Sequence, residues 1–178
     1  MIKTDINQIS EVLKEKFGEA IISQDQQYDF TVFIIDKKYL LKIFRFLYDD
    51  EKFQFRFLTT ACGIHYPDTE KPFAMMYQIH SLVNNIRLRF KAYSTIDNLK
   101  FDSLTSIFSG ANWMERETYD FYGIEFNDHP DLKRILNVDD MDYFPMRKEY
   151  PVEDLTRYDK DDTMFGRKHA GYNKNELI

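Results

Sequence analysis

The feature that most constrains the fold of this chain is a pair of alternating segments separated by two asparagines. In residues 73–79 and again in residues 86–92, apolar or aromatic side chains recur at every second position. This period of two is typical of strands that bury one face, and Asn84 and Asn85 tolerate the positive φ of a tight turn. The sequence therefore predicts an antiparallel hairpin. The opposite face of its second strand carries the basic residues Arg87, Arg89 and Lys91. We expect that face to contact water or another protein.

Around this hairpin the sequence predicts helices and further strands. A first helix should begin at Thr4 or Asp5 and end at Gly18, because its apolar residues recur at helical spacing. A second should follow Asp36, which suits an N-cap, and run to Asp50. Strands are expected over residues 20–22, 29–35 and 53–57, and a loop over residues 61–72. This order predicts an α+β fold in which helices pack on a mostly antiparallel sheet.

Beyond residue 100 the sequence predicts two more helices. A short one is expected over residues 103–108. A longer one should begin at Ala111 or Asn112 and run to about Tyr122, where Gly123 suits the position that follows a helix.

The last part of the chain has no sustained periodicity. Residues 152–178 combine scattered apolar residues with many charges, and alone they would bury too little surface to offset the entropy of ordering them. We therefore expect an extended tail that is ordered only by partner proteins. The predicted organisation is an α+β domain in residues 1–95, a helix and loop segment packed on it in residues 96–151, and an extended, irregular tail in residues 152–178.

Composition argues against several classes of function. The net charge of the 178 residues is −6 at neutral pH, whereas binding to nucleic acid needs a basic stripe that neutralises phosphates. A single cysteine, Cys62, forms neither an internal disulfide nor a multi-cysteine zinc or iron–sulfur site. No window approaches the roughly 20 apolar residues that span a bilayer. We expect the chain to meet a membrane only through partners.

Residues 111–151 carry the most informative pattern, ANWMERETYDFYGIEFNDHPDLKRILNVDDMDYFPMRKEYP. In the predicted helix, Arg116 and Asp120 lie four residues apart and are expected to form an ion pair. Trp113 and Glu117 lie on the same side of the helix as Asp120.

The second half of this segment is predicted to be a compact loop. His129 and Pro130 should begin it, and residues 132–136 should form one helical turn with Asp131 near its start. Residues 145–151 are bracketed by prolines and are predicted to be extended.

The segment resembles the signature of the 30 kDa subunit family of respiratory complex I. Residues 115–126 are similar to that family's ERE-x-x-D motif followed by an apolar pair and G-I-x-F. Residues 129–136 are similar to its HPDL(R/K)RIL continuation, and residues 145–151 to its closing PLRKDYP. The match extends without a gap over about forty residues, too long for chance agreement.

A weaker similarity lies upstream. Two positions depart clearly from the family pattern, and Met146 and Glu149 are mild substitutions. Residues 55–67 resemble the element F-x-x-L-x-x-x-x-G-x-D-Y-P, but His65 replaces its aspartate. Asp128 stands where the family has glycine before the His-Pro pair. Aspartate tolerates positive φ better than most residues, so we expect the turn there to survive.

The resemblance implies a structural role in a larger assembly. Members of the family lie in the peripheral arm of the proton-translocating NADH:quinone oxidoreductase, against the 49 kDa (D) subunit and near the iron–sulfur subunits B and I. FMN, iron–sulfur clusters and quinone are held by partner subunits, and none is expected on this chain. The implied location is the cytoplasmic side of the bacterial inner membrane, reached through the complex. The implied interface and signature residues are Trp113, Glu115, Arg116, Glu117, Asp120, Gly123, His129, Pro130, Asp131, Arg134, Pro145, Arg147, Lys148, Tyr150 and Pro151.

Two alternatives stay open at this stage. A homologous subunit serves related complexes, such as ferredoxin- or F420-linked dehydrogenases and membrane-bound hydrogenases. A stand-alone metal-dependent hydrolase would instead use the cluster Glu125, Asp128, His129 and Asp131. Against that metal site, Pro130 separates two of these residues and no second histidine lies near.

No catalytic residue is predicted. Glu115 and Glu117 lie two apart on the predicted helix and therefore point to different sides, so they do not form an acid/base pair. The sequence contains neither a glycine-rich phosphate loop nor a nucleophile elbow.

Overall fold

A computed structural model describes residues 5–150 of the chain. The predicted tail and Pro151 lie outside these residues. The helices are α1 (Ile6–Phe17), α2 (Leu40–Asp49) and α3 (Ala111–Tyr122), and three short 3-10 turns cover Gly18–Ala20, Lys37–Tyr39 and Ile96–Asn98. The strands are β1 (Ile21–Gln27), β2 (Phe30–Ile35), β3 (Phe57–His65), β4 (Phe73–Ser81), β5 (Ile86–Ser94), β6 (Lys100–Asp102) and β7 (Glu125–Asn127).

Five of the strands form one twisted layer in the order β1-β2-β5-β4-β3. All neighbours are antiparallel except β2 and β5, which are parallel. The short strands β6 and β7 pair in parallel as a separate ribbon. The predicted α+β fold with a mostly antiparallel sheet is confirmed, and so is the hairpin, in which Asn85 has a φ of 56°.

Helices α1 and α2 pack on one face of this sheet and form the core with it. Their buried apolar residues join a single cluster with Phe33, Tyr77 and Phe90 of the sheet. Phe44 of α2 lies at the centre, with its ring centroid 5.3 Å from that of Tyr77 and 5.1 Å from that of Phe90. Each such aromatic buries enough surface to contribute roughly 1.5–3 kcal/mol. None of the helices in residues 5–150 has the length and hydrophobicity needed to cross a bilayer.

The start of α1 agrees with the sequence prediction, whereas α2 begins at Leu40, after a 3-10 turn that Asp36 caps. Asp5 forms a capping box with Gln8 at the start of α1. The Asp36 carboxylate accepts the backbone N–H of Lys38 at 3.0 Å and so begins the turn that leads into α2.

Helix α3 packs against β3 on the same side of the sheet and brings the signature segment to it. A close approach at Gly63 makes this possible, since a Cβ atom there would lie 2.8 Å from Tyr122 and 2.9 Å from Thr118. Tyr122 therefore lies where the helix meets the sheet.

Three predicted boundaries differ from the structure. The strand predicted over residues 53–57 is wrong, because β3 begins at Phe57 and continues to His65. The loop predicted over residues 61–72 is therefore confirmed only over residues 66–72. β1 is longer than the predicted strand over residues 20–22, since it pairs with β2 along its length.

The turn before β3 explains the misleading alternation. The Asp50 carboxylate accepts the backbone N–H groups of Lys52 and Phe53 at 2.9 and 3.1 Å. Gln54 has a φ of 46°, which interrupts any strand. Phe53 and Phe55 are both buried by this turn. Their spacing of two thus comes from a turn that directs both rings inward.

The helix predicted over residues 103–108 is also wrong, because that segment forms a single turn. The backbone N–H groups of Ile107 and Phe108 donate to the Leu104 carbonyl oxygen at 2.9 and 2.8 Å. The Ser103 N–H remains bonded to the Asn127 carbonyl, which extends the β6–β7 ribbon. The Glu115 carboxylate accepts the Leu104 N–H at 2.7 Å. These two bonds join the turn to β7 and to α3.

Candidate interaction surface

Asp120, near the C-terminal end of α3, organises the loop that follows β7. Its side chain is fully buried and accepts the backbone N–H groups of Ile135, Leu136 and Asn137 at 3.1, 2.7 and 3.0 Å. The Asn137 amide and the Arg134 guanidinium donate to its other oxygen at 3.0 and 2.9 Å. One carboxylate therefore fixes the conformation of four consecutive loop residues.

These donors also set the ionisation of Asp120. Burial alone would raise the pKa of this carboxyl group. Hydrogen bonds from Asn137, Leu136 and Arg134 outweigh the burial and hold the pKa well below its ordinary value. Asp120 is therefore ionised throughout the physiological range.

Arg134 extends the same network away from α3. Its guanidinium donates to the carbonyls of Met141 and Tyr143 at 2.8 and 3.1 Å. It also lies 5.0 Å from the ring centroid of Phe144. Arg147 lies 4.7 Å from the same ring. The Phe144 ring thus contacts two guanidinium groups, an arrangement that favours an aromatic residue at this position.

Two predictions for this loop are wrong. Arg116 does not pair with Asp120 but donates to the carbonyls of Lys133 and Arg134 at 3.2 and 3.4 Å. Its guanidinium also lies 4.9 Å from the ring centroid of Trp113. No helical turn forms over residues 132–136, because the N–H groups that would sustain it bond to Asp120.

The end of the described chain folds back onto α3 and the sheet. Arg147 Nε donates to the Tyr122 carbonyl at 2.8 Å, and the Lys148 N–H donates to His65 Nδ1 at 2.9 Å. His65 stands where the family pattern has aspartate, and it acts as the hydrogen-bond acceptor. Its ring stacks on that of Phe73, with the ring centroids 4.5 Å apart. The extended conformation predicted over residues 145–151 is wrong up to Tyr150, because consecutive turns bend this stretch.

Gly123 ends α3, as predicted, with a φ of 71°. Its position is also crowded, since a Cβ atom there would lie 2.5 Å from the Phe144 ring and 2.8 Å from Arg147 Nη2. Glycine is therefore required here for two reasons: its positive φ ends the helix, and its lack of a Cβ atom lets the loop approach closely. Asp128 has a φ of 59°, so the turn before His129 survives the replacement of glycine, as expected.

Replacing Gly123 with alanine is expected to lower the free energy of unfolding by about 2–4 kcal/mol. The estimate combines about 1 kcal/mol for a non-glycine residue at positive φ with about 1–3 kcal/mol for overpacking. Urea unfolding of the full chain measures it. Gly110→Ala is the matched control, because its φ is −65° and nothing lies within 4 Å of the new Cβ. Equal effects of the two substitutions would contradict this account of Gly123.

A second buried acid, Glu115, joins α3 to the turn at residues 103–108. Its side chain is fully buried, and its two oxygens accept the Leu104 N–H and the Ser103 hydroxyl, each at 2.7 Å. His129 Nε2 lies 4.0 Å away. Because His129 Nδ1 accepts the Asp131 N–H at 3.1 Å, Nε2 carries the proton of the neutral ring and donates to the Asn112 carbonyl at 3.2 Å.

Burial makes this carboxyl group a weak acid. It raises the pKa of Glu115 to about 7, although the hydrogen bonds from Leu104 and Ser103 partly oppose the shift. In the unfolded chain the pKa is about 4.3. The folded state therefore binds more protons than the unfolded state between these values, and stability falls as pH rises through that window.

Glu115→Gln is expected to remove most of this pH dependence. Between pH 5 and pH 8 the wild-type chain should lose on the order of 3 kcal/mol through this group, and the variant should not. Urea unfolding at pH 5, 6, 7 and 8 measures the difference. Glu117→Gln is the control, because Glu117 is exposed on the same helix and points away from Glu115. If the free energy of unfolding changes with pH equally in wild type and Glu115→Gln, Glu115 is not the source of the pH dependence.

The metal site considered from the sequence is not assembled in the described chain. Within residues 5–150, no three His, Cys, Asp or Glu side chains converge on one point. Asp131 pairs instead with Lys133 at 2.9 Å, on the surface. Glu125 pairs with Lys100 at 2.6 Å, also on the surface. The candidate ligands are therefore engaged separately.

The loop that Asp120 organises exposes an unusual share of large apolar side chains. They are Leu136, Val138, Tyr143, Met146 and Tyr150, which are 39–64% exposed. Tyr143 and Tyr150 lie together, with ring centroids 4.9 Å apart. We call these five residues the apolar signature surface. Trp113 on α3 is also exposed and lies against Arg116. A rigid, polar network beneath exposed apolar side chains is typical of a protein-binding surface.

The structure separates the predicted signature residues by exposure. Buried or half-buried positions are Glu115, Arg116, Asp120, Gly123, His129, Arg134, Pro145 and Arg147. Exposed positions are Trp113, Glu117, Pro130, Asp131, Lys148 and Tyr150. Sequence reasoning missed Asn137, Phe144 and Ser103, although an aromatic residue directly before Pro145 in a basic segment was a usable signal for Phe144.

Comparison with known proteins identifies the family. Residues 33–156 match the family described as respiratory-chain NADH dehydrogenase, 30 Kd subunit. The chain is 35% identical over 156 residues to the C subunit of the NADH-quinone oxidoreductase of Methylobacterium sp. (strain 4-46), covering 86% of this chain and 72% of that protein.

Two solved structures share the fold. One is a trypsin-resistant fragment (1–134) of Nqo5, with a TM-score of 0.58 and 22% identity over 70% of this chain and 98% of that one. The other belongs to the membrane-bound sulfane sulfur reductase, an archaeal respiratory membrane complex, with a TM-score of 0.70 and 17% identity over 87% of this chain and 95% of that one. The family match covers most of the sequence, including the whole signature segment. This chain therefore belongs to the 30 kDa subunit family of the respiratory-chain NADH dehydrogenase.

Proposed function

We propose that this chain is the cofactor-free, structural 30 kDa (C) subunit in the peripheral arm of a proton-translocating NADH:quinone oxidoreductase. In this proposal its signature segment binds the 49 kDa (D) subunit and lies near the iron–sulfur subunits B and I. FMN, iron–sulfur clusters and quinone would be held by those partner subunits. The chain would reach the cytoplasmic side of the bacterial inner membrane only through the complex.

The observation that carries the proposal is the apolar signature surface. Its five exposed side chains occur within residues 136–150, on a loop that a buried carboxylate and two arginines hold in one conformation. Exposing such residues is unfavourable for a protein that stays alone in water, whereas rigid apolar side chains bind a partner at low entropic cost. The surface lies in the same segment that matches the family.

The buried acids support a structural role as well. Glu115 and Asp120 each accept hydrogen bonds from the chain itself, and these bonds join α3 to two different loops. His129 is likewise bonded on both ring nitrogens. These groups therefore fix the shape of the surface. A subunit that holds others in place contributes to electron transfer by keeping redox centres at fixed separations.

Affinity purification of the full chain from detergent-extracted membranes of its host tests the proposal. The chain should be recovered in fixed proportion with subunits D, B and I and with NADH-oxidising activity. Recovery of the chain alone, or as an active metal-dependent hydrolase, would contradict the proposal. Recovery with the subunits of a ferredoxin- or F420-linked dehydrogenase, or of a membrane-bound hydrogenase, would show that the chain belongs to that related complex instead of the NADH-linked one.

A further inference from the structure

The face of the five-stranded sheet that is turned away from the helices has features that the proposed function does not use. The helices pack on the face that carries Phe33, Tyr77 and Phe90. Alternation along each strand places the intervening side chains on the opposite face. Arg89 Nη2 of β5 donates to Gln78 Oε1 of β4 at 3.0 Å, which is consistent with both residues lying on that opposite face.

This opposite face is basic, although the chain as a whole carries a net charge of −6. Strand β5 places Arg87, Arg89 and Lys91 on it. Among the strand residues of the described chain, Asp25 of β1 is the one acid that the register places there. Arg89 also lies 4.5 Å from the ring centroid of Phe30, so its guanidinium is held in place. The face therefore presents fixed positive charge to an acidic partner.

One row of this face also contains a buried polar atom without a partner. The register places Phe57 of β3 opposite His80 of β4, and His80 opposite Arg87 of β5. His80 is 8% exposed, and its Nε2 atom has no hydrogen-bond partner within residues 5–150. A shielded nitrogen of this kind is unfavourable unless a group from another chain forms a hydrogen bond with it. Phe57 and Arg87, on either side, are both exposed.

We propose that the row Phe57–His80–Arg87 binds an acidic segment of a neighbouring subunit. A carboxylate of that segment would accept hydrogen bonds from the exposed Arg87 guanidinium and, once the side chains that shield it shift, from His80 Nε2, while Phe57 packs against its apolar part. A guanidinium suits a carboxylate because its donors form a planar fork. Arg89 and Lys91 add attraction from the same strand. The inference rests on the proposed function only in taking the partner to be a subunit of the same assembly.

Photocrosslinking tests this surface in the assembled state. The full chain, with the photoreactive analogue p-benzoylphenylalanine in place of Phe57, is produced in its host and irradiated in membranes. Adducts are then mapped by mass spectrometry. We expect an adduct with a neighbouring subunit at a segment that contains aspartate or glutamate.

A pair of charge reversals tests the role of Arg87. Arg87→Glu should lower the adduct yield roughly tenfold or more, because like charges that face each other across an interface lower the affinity by at least that factor. Lys14→Glu is the matched control, since Lys14 is exposed on α1, which packs on the other face of the sheet. It should leave the yield within about twofold of the parent chain, as expected for a charge outside the interface.

His80→Leu distinguishes an interface role from a folding role. Removing the unpartnered nitrogen should leave the urea midpoint of the full chain unchanged or higher, while the adduct yield falls. A parallel loss of stability and yield would show a structural role and overturn the proposal.

The crosslink itself separates the remaining outcomes. An adduct within residues 151–178 of the same chain would make the tail the occupant and overturn the proposal. The absence of any adduct would overturn it too, and if the chain still co-purifies with its complex, the proposed function would stand. An Arg87-dependent adduct with an acidic protein outside the oxidoreductase would support the surface and contradict the proposed function.

Discussion

Asp120→Ala is expected to lower the free energy of unfolding by about 3–5 kcal/mol, the cost of removing one partner of a buried, hydrogen-bonded ion pair. The substitution leaves three backbone N–H groups without their acceptor and the Arg134 guanidinium without its carboxylate partner. The loop should then become susceptible to proteolysis between α3 and Tyr150 while the sheet persists. Urea unfolding and limited trypsin digestion of the full chain measure both effects.

A surface acid from the same loop provides the control for this prediction. Asp131 pairs with Lys133 at 2.9 Å, but both side chains are more than half exposed. Asp131→Ala should therefore cost at most about 1 kcal/mol. If the two substitutions destabilise the chain equally, Asp120 does not organise the loop.

The pH dependence provides a second check on Asp120. Its folded pKa lies below the unfolded value of about 3.9, so its contribution is complete above that value and is lost as pH falls through the folded pKa. The difference between wild type and Asp120→Ala should therefore be constant from pH 5 to pH 8 and should shrink only in strong acid. This is the opposite direction to the dependence expected for Glu115.

A double substitution on the apolar signature surface, Leu136→Ser with Val138→Ser, should lower the amount of assembled complex roughly tenfold or more. Each side chain is nearly two-thirds exposed in the isolated chain, so its loss should leave the fold intact. If both are buried against a partner, losing about 1 kcal/mol or more from each already exceeds a tenfold change in affinity. Native gel electrophoresis of host membranes measures the assembled fraction.

The matched control removes equal apolar exposure from elsewhere on the chain. Ile22 and Ile96 are 63% and 59% exposed and lie outside the signature segment. Ile22→Ser with Ile96→Ser should therefore leave assembly unchanged. Similar loss of complex in both double variants would show that general surface hydrophobicity, rather than this loop, is responsible.

The sequence predicts those parts of the fold in which a local pattern and the tertiary structure agree. The hairpin is one example, because alternation continues through both strands and an asparagine supplies the positive φ at the turn. Helix α3 is another, because Gly123 marks its end. In both, the residues that form the signal also determine the local backbone conformation.

The errors arise where backbone groups bond to a distant side chain. The N–H groups of residues 135–137 bond to Asp120, which lies 15–17 positions earlier, and no side-chain periodicity records this. Arg116 could reach Asp120 by spacing alone, but the carbonyls of Lys133 and Arg134 compete for it. Phe53 and Phe55 are a different case, because a local turn that the nearby Asp50 carboxylate forms gives them a strand-like spacing. The family resemblance marks Asp120 and Arg134 as signature positions, but only the structure shows that they pair.

The most direct test of the structural role compares the amount of complex with its turnover. Membranes from the Leu136→Ser, Val138→Ser variant are assayed for assembled complex, and the rate of NADH:quinone reduction is divided by the content of bound FMN. We expect the amount to fall while each remaining complex reduces quinone at the wild-type rate. A normal amount of complex with a selectively slower rate would contradict a purely structural role for this chain.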